Sequence, residues 1–83
     1  MDERAELRHL RPEVRTALEL AIVALAPASL VDQLAVVAGL LEALETLPSG
    51  SARVATFAVD LTRRAHQSLA AWGEWRDKRT GQG

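Results

Sequence analysis

Arg4, Arg8, Arg11 and Arg15 are spaced four, three and four residues apart, the steps that bring side chains onto one strip of an α-helix. Like charges so placed repel by a few tenths of a kcal/mol per pair, so something negative is expected opposite them. Two kinds of partner fit. One is internal: Glu42 and Glu45 on the central segment, or Asp60 on the last, in the same chain or in a second copy, forming salt bridges that contribute little when exposed. The other is a phosphate backbone, which a row of arginines on a helix edge is suited to hold. Glu3, Glu6 and Glu13 lie in the same segment and the formal net charge is −1. A nucleic-acid binder is expected to carry a strongly basic domain, so the acidic partners are the stronger reading.

The remaining reactive side chains do not assemble into a catalytic pattern. His9 and His66 fall on different segments, with no His, Cys or carboxylate at a metal-ligand spacing such as His-x-x-x-His. No serine stands in a nucleophile elbow with a histidine and an acid, and no glycine-rich phosphate loop follows a strand. The carboxylates are scattered along helix surfaces as ordinary solvated charge. Ala65-His66-Gln67-Ser68-Leu69 resembles the phospho-accepting helix of histidine phosphotransfer domains, which are four-helix bundles. The resemblance covers these five residues only, the Lys-Gly pair usual after such a histidine is replaced by the region of Ser68 and Leu69, and an ordinary histidine on a helix flank is the stronger reading. No enzymatic activity, catalytic residue, metal or cofactor is expected.

Contact chemistry is better represented. Trp72 and Trp75 share one side of the last helix, and tryptophan serves both as a core residue and as an interface anchor. Trp72 is expected in the core, and Trp75 either against another chain or partly buried by the N-terminal piece. The segment Ser29–Leu47 carries a second signal. Leu30, Leu34, Val37, Leu41 and Leu44 form one helical arc, while Ala35, Gly39 and Ala43 lie nearly opposite, with Val36, Leu40 and Leu47 between the two. A helix apolar most of the way round is buried on more than one side, so this one should be the centre of the fold or half of an interface. Glycine inside a helix costs roughly 1 kcal/mol relative to alanine, a cost explained if another backbone approaches Gly39. The plainer alternative is an exposed alanine stripe with one tolerated glycine.

Composition bounds what must position these residues. Eighty-three residues make one small domain, which buries only about 60% of its unfolded surface and gains from self-association. With 48% apolar residues, one Phe, two Trp and no Tyr, the core is aliphatic and alanine-rich, a composition that favours helix. There is no cysteine, hence no disulfide framework or thiolate metal site. The charged start, Met-Asp-Glu-Arg-Ala-Glu, does not resemble a signal peptide, and the apolar run Leu34–Leu41 is far shorter than the roughly 20 residues that span a bilayer. A cytoplasmic protein without membrane contact is expected. Lys78 is the sole lysine among many arginines, a habit of GC-rich bacterial genomes.

Residues 2–10 form a helical turn or two before Pro12, which removes a backbone donor and biases Arg11 away from the helical region. The apolar spacing nevertheless continues through Leu7, Leu10, Val14, Leu18, Ala21 and Leu25. One kinked helix or a short helix followed by one starting at Pro12 would satisfy both signals, and the preference of proline for the first turn favours the second. That helix should end by Ala26. Ser29 and Asp32 suggest a capping box for the central helix, which should run to about Leu47. Pro48-Ser49-Gly50-Ser51 is the clearest loop, with Ser49 or Ser51 capping a last helix of roughly 25 residues whose length exceeds the average. Its stripe holds Val54, Phe57, Ala58, Leu61, Ala65, Ser68, Leu69 and Trp72, with Trp75 a candidate at its end. Because it outruns its neighbours, its Trp72 end should overhang unless residues 2–10 or a second subunit covers it.

The expected fold is all-α: an up-down-up three-helix unit over residues 1–79, with room for a short extra N-terminal helix, a frayed tail at 80–83, and assembly as a dimeric helical bundle. The expected function is a non-enzymatic interaction module that binds itself through Ala35, Gly39, Ala43 or Trp75, and another protein, as an adaptor, regulator or assembly part. The alternative is a small nucleic-acid-binding regulator using the Arg4–Arg8–Arg11–Arg15 edge.

Overall fold

The computed structural model describes residues 3–47 and 52–81. Among them are three helices and no strand: α1 (Glu3–Val23), α2 (Ala28–Glu45) and α3 (Ala52–Gly81). Each helix packs against the other two. Glu6 of α1 faces His66 of α3, and Ala24, just past α1, faces Arg79; α1 and α3 are therefore parallel. Arg11 and Arg15 face Glu45 and Glu42, so α2 runs antiparallel to both.

Residues 3–23 form a single helix with Pro12 inside it, which corrects the expected break at Pro12 and leaves no separate N-terminal helix among the described residues. The energetics explain the outcome. A proline in a helix interior costs about 3 kcal/mol. Burying a leucine stabilises by roughly 1.5–3 kcal/mol, and both Leu7 and Leu10 are at most 5% exposed, on a stripe that continues through Val14, Ala17 and Ala21. Pro12 itself is on the exposed side, where water can reach the carbonyl its missing N–H leaves free.

The corner after α1 also differs from expectation. Ala26 N–H donates to the Ala21 carbonyl at 2.9 Å and Leu25 N–H to the Ile22 carbonyl at 3.2 Å, with Leu25 in the left-handed region at φ 59. This is a Schellman ending with leucine where glycine is usual. Leu25, expected in the core stripe, is instead 86% exposed, because the helix stops two residues before it. The expected capping box is not formed. Pro27 is the N-cap, without a side-chain cap hydrogen bond, and its carbonyl accepts from Leu30 N–H and Val31 N–H; Ser29 is already inside the first turn. At its other end α2 stops at Glu45 rather than Leu47, with Thr46 Oγ1 donating to the Ala43 carbonyl at 2.7 Å. The loop at 48–51, with its two candidate serine caps, lies outside the described residues.

α3 has 30 residues, which at about 1.5 Å each span ~45 Å and account for most of the 49 Å long axis. Its Trp72 end does not overhang. Parallel packing sets it beside the C-terminal half of α1, where Ala17 and Leu20 line a surface with Leu69 and Trp72, and Trp72 is 6% exposed. Neither residues 2–10 nor a second subunit is needed to cover it. Leu30, Leu34, Val37, Leu41 and Leu44 are the buried residues of α2, as their spacing predicts. With only three helices, and a bundle 21 × 17 Å in cross-section, none is central, so α2 keeps an outward face. No described helix is long and apolar enough to cross a membrane.

Candidate interaction surface

The outward face of α2 follows from its helical repeat. Once Leu34, Val37 and Leu41 point into the bundle, steps of about 100° carry Ala35, Val36, Gly39 and Ala43 to the other side. All four are exposed, as is Leu47 just beyond the helix, and Leu40 is half-buried at the margin. Val36 is 57% exposed and Leu47 39%. The one charged residue of α2 on this arc is Asp32, exposed and without an ion pair among the described residues. An added Cβ at Gly39 would meet nothing within 4 Å, so no backbone of the same chain approaches it. The close approach that its glycine suggests is not made within the chain.

The surface continues onto α1. Leu18 and Ile22 line a shallow groove with Ala35, Ala38 and Gly39, walled by Arg15, Glu19 and Glu42. Ile22 is 54% exposed. Its role is not legible in the sequence of α1 alone, because Ile22 lies one step off the buried stripe and gains a neighbour only from α2. Val23 and Leu25, at the corner of the bundle, are 81% and 86% exposed.

Two arginines of the strip, Arg11 and Arg15, are paired with acids of α2. Arg11 donates to Glu45, and Arg15 donates to Glu42 at 3.0 Å and lies 3.6 Å from Glu19. Glu42 and Glu45 are two of the three acids expected opposite the strip. Asp60, the third, serves its own helix, pairing with Arg63 and with Arg64 at 3.1 Å. Arg8 is exposed and makes no ion pair among the described residues, while the Arg4 side chain lies outside them. All these pairs are substantially exposed, so each contributes at most about 1 kcal/mol.

His66 is held from across the bundle: its Nε2 is 2.9 Å from Glu6 Oε1, a carboxylate 60 residues away in sequence that no local spacing rule can find. His9 lies 3.5 Å from Glu13 on its own helix. Among the described residues no three His, Asp or Glu side chains converge as a metal site would require.

Trp75 is half-buried. It stacks on Trp72, with ring centroids 5.7 Å apart and planes inclined by 24°, and the guanidinium carbon of Arg79 lies 5.3 Å from its ring centroid. Arg79 also donates to the Ala24 carbonyl, tying the end of α3 to the corner after α1. Trp75 is also packed against the hydrophobic core, and the N-terminal residue Glu6 meets α3 nine residues back, at His66. Comparison with protein-family models, curated proteins and solved structures found no match to this chain.

Proposed function

We propose that this chain is a non-enzymatic helical interaction module that pairs with a second copy through the outward face of α2 and acts, through that assembly, as an adaptor, regulator or assembly part for another protein. The observation that carries the reading is Gly39. A mid-helix glycine costs stability, its Cβ position is empty space within the chain, and it sits among exposed apolar residues rather than on a polar surface. A second backbone packed there would use both features. The small size of the domain adds to the case, since association offsets a limited core. The nucleic-acid reading is weakened, because two of its four arginines, Arg11 and Arg15, are paired with acids of α2.

The test is light scattering on the wild type and on Val36→Glu. Val36 is 57% exposed, so the variant should keep its helicity, while a charge placed in an apolar contact should shift the mass from dimer to monomer. A mass that is unaffected by Val36→Glu would remove this face from the assembly.

A further inference from the structure

No further inference is drawn: the strongest candidate, the shallow groove between α1 and α3 lined by Thr16, Leu20, Leu69, Trp72 and the open side of Gly73, carries none because nothing in the structure shows what covers it, and Glu13 and Arg76 in its lining, of opposite sign, select no occupant by charge.

Discussion

Gly39→Ala separates the stability of the chain from the stability of its assembly, because the two should move in opposite directions. In the single chain the new methyl enters space with no atom within 4 Å, so nothing is displaced, and replacing glycine inside a helix stabilises by about 0.8–1 kcal/mol. For a domain of this size each kcal/mol moves Tm by roughly 4–8 °C. At a close-packed contact the same methyl enters from both copies, and overpacking costs typically about 1–3 kcal/mol, or about tenfold in Kd for each 1.4 kcal/mol. Thermal unfolding of Gly39→Ala in a Val36→Glu background reads the chain by itself, free of the concentration dependence that association imposes on Tm. Sedimentation of Gly39→Ala in the otherwise native chain reads the assembly. A raised Tm with weakened association is the expected pair of results. A raised Tm with unchanged association would show that Gly39 is a tolerated glycine on a bare alanine stripe, and a lowered Tm would refute the open space around it.

Three further outcomes follow from the interior, the corner and the strip. Ser68 is fully buried and its hydroxyl makes no hydrogen bond among the described residues; an unpaired buried polar group costs about 1–3 kcal/mol, so Ser68→Ala should raise the denaturation midpoint by the equivalent of about 1 kcal/mol, and a loss of stability would mean that the hydroxyl is satisfied. Leu25→Gly should stabilise by roughly 0.5–1 kcal/mol, since it relieves a left-handed backbone conformation costing about 1–2 kcal/mol at a side chain that is 86% exposed; chemical denaturation showing a clear loss would mean that Leu25 is covered in the assembly. Arg15→Ala should lower stability by less than about 1 kcal/mol, as exposed pairs do, and fluorescence titration of the wild type with labelled DNA or RNA should show no complex whose affinity falls with a salt slope of about three to four phosphates.

The buried side of the molecule was legible where periodicity decides it. The five apolar residues of the α2 stripe are its five buried residues, and Glu42 and Glu45 meet the arginines because both sets repeat at helical spacing on facing helices. Local rules failed where tertiary packing outweighed them. Pro12 signals a break, yet burial of Leu7 and Leu10 before it and of Val14 and Ala17 after it holds α1 together. Ser29 is a better capping residue than Pro27, but the Schellman ending at Leu25 and Ala26 sets the chain so that α2 begins at Ala28. The cover over Trp72 depends on which end of α1 lies beside it, and that follows from the parallel packing of α1 and α3, which no single segment reveals. Contacts between residues far apart in sequence, such as Glu6 with His66 and Arg79 with Ala24, leave no local trace at all. The outward face of α2 was legible as an excess of apolar residues; Ile22 was not, because its role depends on the groove that α2 forms beside it.

Sedimentation equilibrium of the wild-type chain from low to high micromolar concentration tests the central claim most directly. Self-association through α2 predicts a mass that settles at twice the 9.0 kDa of one chain as concentration rises. A mass that stays at that of a single chain throughout would contradict it, and would leave Val36, Ile22 and the open space at Gly39 as bare surface.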